Sequence, residues 1–191
     1  MSSLHYADNS FEIIWAEGAI FIIGFKKGLK EWKRLLKPNG VIAVTELSWT
    51  KDDFPKEISE FWESEYFEMQ SIEENIKAAN ECGYHLEAHF THTESAWFDN
   101  YYIPMKHRIN QLKVKYKDSE EALRVLNNEL KEIMIYKKYS AYYGYEFYIL
   151  RPYQGYMNEN LIYDKRRSTR YESLSSFQRM FLKAHGFIVP L

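Results

Sequence analysis

The residues Trp15-Ala16-Glu17-Gly18 end an apolar run with a carboxylate and a glycine, a pairing that suits a ligand-facing turn. In open α/β sheets, ligands bind outside the carboxyl ends of the strands, near the point where strand order switches. Gly18 lets a ligand approach the backbone closely, and the Glu17 carboxylate can accept a proton. The pattern alone reads equally well as a polar turn closing a buried strand. A second group is aromatic. Trp97, Phe98, Tyr101 and Tyr102, with Trp49 and Trp62, could wall an acceptor pocket, or they could pack inserted helices.

Three histidines, His85, His89 and His92, would line up on a helix and could there hold a metal. On a strand, His85 and His89 share a face and His92 takes the other. The strand reading is favoured, so no metal is expected. Cys82 is the single cysteine, which excludes an internal disulfide and a cysteine-based zinc site. It precedes a glycine stop and has no evident activating base, so it reads as a buried structural thiol. The basic stretch "DKRRSTR" at 164–170 reads as a solvated surface segment, because no nucleic-acid motif accompanies it.

The 191 residues suffice for one domain with a real core. Hydrophobic residues make up 46% and charged residues 27%, ordinary for a globular protein, whereas aromatics reach 17%. The net charge of −2 gives no global basic field, so no nucleic-acid partner is expected. Charge is uneven, with 19 Lys/Arg against 24 Asp/Glu in residues 1–153 and 6 against 3 in residues 154–191. The start of the chain has no apolar signal core. The longest apolar run, Ala19 to Ile23, is too short to span a bilayer. These features lead to the expectation of a cytoplasmic protein with no membrane partner.

Several elements are needed to position these residues. Phe11 to Ala16, "FEIIWA", suits a strand covered on both faces. Phe25, Leu29, Trp32 and Leu36 fall on one helical face, and "KPNG" at 37–40 supplies stop signals. Val41 to Glu46, "VIAVTE", is a second buried strand, completing a right-handed βαβ unit. The spacing predicts helices over 54–69 and 71–82, the latter opened by a Ser71/Glu74 capping box and stopped by Gly83. A strand over 84–93, a ring-rich loop at 97–102, helices over 104–117 and 118–139, a strand over 145–150 and a helix over 175–184 complete the reading.

The stretch "ADNSFEIIWAEGAIFIIGFKKGLKEWKRLLKPNGVIAVTELSW" resembles the second half of class I S-adenosylmethionine-dependent methyltransferases. That family carries a "D-x-S-F-D-x-I" strand, a helix ending "L-K-P-G-G" and a strand of the "x-x-x-V-x-E" type. Asp8-Asn9-Ser10-Phe11-Glu12, Leu36-Lys37-Pro38-Asn39-Gly40 and Val41 to Glu46 stand in their places here. The resemblance covers about residues 1–152, most specifically residues 7–49. No G-x-G-x-G cofactor loop lies anywhere in the sequence, so the chain is read as beginning partway through the family's sheet. Where the family often has "M-D-D-L-P-F", this chain has Met1-Ser2-Ser3-Leu4-His5-Tyr6, and Ser2 replaces the carboxylate that holds the adenine amino group.

The resemblance implies an α/β fold: a partial Rossmann-like sheet of about four strands, the last antiparallel, flanked by helices. It implies a methyltransferase portion over 1–153 with a helical insertion near 97–140, followed by a basic tail over 154–191. It also implies S-adenosylmethionine as cofactor, touched by Met1, Ser2, Trp15, Ala16, Glu17 and Gly18. A small-molecule acceptor would lie against Trp49, Trp97 and Tyr101, with Glu17 facing it as the sole catalytic candidate. The competing reading is a non-catalytic methyltransferase remnant, or a partner-binding subunit that pairs with a chain supplying the missing N-terminal half. An apolar strand left at a sheet edge recruits partners, so association through residues 11–16 is expected, either as a homo-oligomer or with a partner chain.

Overall fold

The computed structural model describes residues 4–66 and 68–153. The expected helix over 175–184, and Met1 and Ser2, lie outside the described residues. The elements in chain order are β1 (Phe11–Ala16), α1 (Phe25–Trp32), β2 (Leu36–Trp49), α2 (Lys56–Glu65), β3 (Gln70–Ser71), α3 (Ile72–Glu81) and β4 (Tyr84–Thr91). A helical run follows, made of α4 (Glu94–Trp97), a π-helical turn (Phe98–Tyr102) and α5 (Ile103–Lys115). The last elements are α6 (Glu120–Tyr139) and β5 (Tyr143–Pro152).

The sheet order is β1-β2-β5-β4, with the two-residue β3 beside the end of β2. β1 and β2 run parallel, Ile13 opposite Val41 and Ala16 opposite Val44, as the βαβ reading requires. β5 is antiparallel to both of its neighbours. Against β2, Thr50 donates to the Tyr142 carbonyl at one end and Arg151 binds the Asn39 carbonyl at the other. Against β4, the His92 amide donates to the Tyr145 carbonyl and the Arg151 Nε reaches Glu87. This is an α/β fold with a mixed, partial Rossmann-like sheet flanked by helices.

The chain forms two compact units. Among the described residues, the first holds 4–46, 76–90 and 147–153. Its core gathers Ala43, Ala88, Phe147 and Ile149, with Trp15 and Phe90 packed against them. Phe25, Leu29 and Trp32 bury the apolar face of α1, as their spacing predicts. The Tyr84 phenol donates to the Leu29 carbonyl at 2.8 Å. The Lys33 ammonium satisfies the Cys82 and Gly83 carbonyls at 3.3 and 3.0 Å, so α1's exit caps the end of α3. Cys82 is buried, and burial pushes its thiol up in pKa.

The second unit holds residues 47–75 and 91–146. Its core is built from Phe61, Trp62, Trp97, Tyr102, Ile133 and Tyr136, with further rings around them. Many of the sequence's aromatic residues pack in or against this core.

Three expectations are corrected. The helix expected to run to Leu36 ends at Trp32 and tightens into a 3-10 turn over 33–35. Leu36 is already extended and pairs with Phe11, which draws "KPNG" into an irregular stretch of β2 rather than a helix stop. The ring-rich stretch 97–102 is helical, because the Thr93 hydroxyl caps its start by accepting the Ala96 amide and Pro104 falls in the first turn of α5, where no amide is needed. α6 begins at Glu120 with Ser119 as its cap, two residues after the expected start at 118.

Candidate functional site

β1 delivers Trp15, Ala16, Glu17 and Gly18 to the carboxyl end of the parallel pair. Trp15 packs its ring on Phe147 in β5, with centroids 5.1 Å apart. Its indole Nε1 donates to the Glu17 Oε1 at 2.5 Å, so the carboxylate is held over its own strand. Glu17 and Gly18 are both exposed. Gly18 sits at φ 54°, the left-handed region that glycine enters without penalty. Its amide donates to the Thr45 hydroxyl at 2.7 Å. Thr45 lies one residue beyond the Ala16–Val44 register and is only 2% exposed. The turn is therefore fixed by two side-chain hydrogen bonds, and its carboxylate faces solvent.

Thr45 is a site residue the sequence reading missed. A threonine in a strand is ordinary, and only the β1–β2 register shows that its hydroxyl meets the turn. Ala16 contributes backbone, opposite Val44. His85 and His89 lie on β4 and His92 just beyond it, as the strand reading expects. His85 contacts Glu87 at 3.0 Å, and His89 stacks on Tyr148.

The second unit holds the residues expected at an acceptor. Trp49 ends β2 and stacks on Phe54 at 4.0 Å, with an edge toward Tyr143 at 6.0 Å. Trp97 stacks on Tyr136 at 4.8 Å and on Tyr145 at 4.6 Å and is buried. Tyr101 meets Trp97 edge-on at 6.4 Å and is 50% exposed. Trp97 and Tyr101 thus touch, and Trp49 joins the same core through Tyr143 and Tyr136. Tyr102 is fully buried and donates to Glu132 Oε1 at 2.8 Å. Burial pushes the Glu132 carboxyl above its ordinary range. Burial also raises the Tyr136 phenol to about 12 and lifts those of Tyr102 and Tyr143 well above the usual range. These phenols stay protonated, and that of Tyr102 donates to Glu132.

Residues 1–44 match the family described as a methyltransferase domain. A methyltransferase from Geobacter sulfurreducens, solved with S-adenosyl-L-homocysteine, shares the fold with a TM-score of 0.62 at 18% identity over 78% of this chain and 61% of its own. The [4+2]-cyclase SpnF gives 0.56 at 20% identity over 81% and 54%. Phosphoethanolamine N-methyltransferase 2 of Haemonchus contortus, solved with S-adenosyl-L-methionine, gives 0.58 at 18% over 78% and 35%. This is a class I methyltransferase-like fold. The chain spans between about a third and three fifths of these three proteins' lengths. No curated protein matches it at a significant level. In this methyltransferase-like fold the β1 turn occupies the strand ends where ligands gather. One relative of the fold is a cyclase, so the architecture alone does not name a reaction. Among the described residues, no helix is long and apolar enough to cross a membrane.

Proposed function

We propose that the protein binds S-adenosylmethionine and transfers its methyl group to a small-molecule acceptor in the cytoplasm. The observation that carries this reading is the turn at Trp15–Gly18. It is exposed, rigidly held and placed at the strand ends of a fold whose solved relatives hold S-adenosylmethionine or S-adenosylhomocysteine.

The residues present fit one end of such a cofactor. Glu17 keeps Oε2 for a cationic or hydroxylic group, while Trp15 orients the carboxylate through Oε1. Ala16 and Gly18 offer backbone unobstructed by a long side chain, and Met1 and Ser2 complete the proposed contacts. S-adenosylmethionine, when bound, supplies an electrophilic methyl group. The chain's part is to hold the acceptor in line, which alone gives a large rate gain, and Glu17 takes the acceptor's proton where one must leave. Trp49, Trp97 and Tyr101 are the proposed acceptor contacts, of which Tyr101 has the most exposed ring.

A second reading is favoured by two observations. No glycine-rich loop occurs in the sequence, and β1 stands at the sheet edge among the described residues. On that reading the chain is a non-catalytic subunit, and residues 11–16 are its contact with another copy or another chain. Calorimetric titration with S-adenosylmethionine and S-adenosylhomocysteine separates the two. Saturable micromolar binding supports the methyl-transfer reading. A folded sample that binds neither supports the subunit reading.

A further inference from the structure

Within the second unit, the π-helical turn and α6 bring a carboxylate against a group of rings. The Tyr102 phenol donates to Glu132 Oε1 at 2.8 Å. Tyr102 itself stands among Trp97, Tyr101 and Tyr136, with ring centroids 5.4, 5.2 and 5.1 Å away. Glu132 is partly exposed and Tyr101 is half exposed, so the group is open to solvent at these two residues. Burial raises the Glu132 carboxyl, the Tyr102 bond opposes it, and Glu129 and Glu65 raise it further. Burial also raises the Tyr101 phenol, followed by Glu132 and Glu129. The charges that act most on this spot are all carboxylates.

A second observation concerns Tyr143, which is 1% exposed. Its ring lies edge-on to Tyr136 at 5.7 Å, and Glu132 acts on its phenol. The Trp62 indole faces the phenol oxygen, yet the hydroxyl has no acceptor for its own proton. Buried donors are rarely left unmet, and each costs about 1–3 kcal/mol. A carboxylate in acidic surroundings and electron-rich rings suit a cation, and an unmet O–H suits an oxygen close to it. The cation is organic rather than metallic, because no three acidic, histidine or cysteine groups among the described residues come together to hold a metal. The neighbouring carboxylates disfavour a ligand with a carboxylate of its own.

We infer that this cluster binds an amino alcohol, its ammonium on Glu132 and the Tyr101 ring, its oxygen accepting from Tyr143. As the class of the methyl acceptor this rests on the methyl-transfer reading above, whereas the binding itself does not.

Calorimetric titration of the full chain with choline, in the absence of cofactor, tests the assignment. Saturable binding is expected, and choline's neutral isostere, with carbon in place of nitrogen, should bind about tenfold more weakly. Glu132→Gln still accepts from Tyr102 and should weaken choline about tenfold while leaving the isostere unchanged. Tyr143→Phe should weaken choline several-fold but not tetramethylammonium, which has no oxygen to receive the proton. Tyr101→Ala should weaken both cations. A folded sample that does not bind choline, or that binds choline and the isostere equally, overturns the site. Equal loss of choline and isostere in Glu132→Gln would make Glu132 a packing residue and overturn its role. Choline binding by a chain that binds no S-adenosylmethionine would sink the methyl-transfer reading and leave the cation site standing. Cofactor binding without choline binding would do the reverse.

Discussion

The Gly18 amide and the Thr45 hydroxyl meet at 2.7 Å across the carboxyl ends of β1 and β2. This bond fixes the turn that carries Glu17. It also uses the one polar side-chain atom of a residue that is otherwise buried. Thr45→Val keeps the volume and removes the acceptor, leaving the Gly18 amide without its partner. The expected loss is about 1–2 kcal/mol in urea unfolding, with Thr45→Ser restoring most of it. If the turn binds cofactor, Thr45→Val also weakens S-adenosylhomocysteine binding more than its stability loss predicts.

Two glycines in strands make opposite predictions. A Cβ on Gly40 would lie 2.9 Å from the Lys37 carbonyl oxygen and 3.1 and 3.2 Å from those of Glu12 and Phe11. All three are backbone atoms that anchor the β1–β2 pairing, so they cannot move aside cheaply. At Gly144 the nearest atom is a Thr91 methyl at 3.5 Å, an ordinary contact. Gly40→Ala is therefore expected to lose more than about 2 kcal/mol. Gly144→Ala should stay within about 1 kcal/mol of the parent. Equal losses in thermal unfolding would refute the close-approach account.

β1 was legible to the residue because its six apolar-rich positions are bounded by polar turns on both sides. The Ser71/Glu74 box was legible too, since capping is a local exchange of hydrogen bonds: the Glu74 amide donates to Ser71 Oγ, and the Ser71 amide to Glu74 Oε2. What failed was decided by distant partners. "KPNG" carries helix-stop chemistry, yet pairing of Leu36 with Phe11 turns it into an irregular part of β2, with Asn39 at φ 67°. The rings at 97–102 look like a loop until their burial against Tyr136 and Tyr145 is known. Of the candidate site, the strand-end turn was readable from its residues. Thr45 was not, because its role exists only in the register of two strands.

Two partly buried carboxylates link stability to pH with opposite signs. Burial works to raise Glu87, but Arg151 Nε at 2.6 Å and His85 at 3.0 Å hold it below its ordinary value. Its contribution is present above the unfolded carboxyl value of about 4.3 and disappears as pH falls through the lower folded value. Glu87→Gln should cost about 1 kcal/mol at pH 7 and progressively less as pH falls below about 4.3. Burial raises Glu132, against the hydrogen bond it accepts from Tyr102. Ionising it therefore costs stability as pH climbs above about 4.3. Glu132→Gln, which still accepts from Tyr102, should gain stability at pH 7 and match the parent near pH 3. Melting temperatures across this range check both signs.

Trp97 and Tyr101 touch, yet they differ in what their removal should do. Trp97 is buried and stacks on two tyrosines, so Trp97→Ala opens a large cavity, and about 3–5 kcal/mol is lost. Trp97→Phe retains part of the stack and should lose less than half of that. Tyr101 meets Trp97 only by its edge, and half of its surface is open. Tyr101→Ala should change stability by less than about 1 kcal/mol. Tyr101 is thus the aromatic position where acceptor binding can be probed without unfolding the second unit. Urea titrations of the three variants measure the ordering directly. A Tyr101→Ala loss as large as that of Trp97→Ala would make Tyr101 a core residue and remove it from the proposed acceptor contacts.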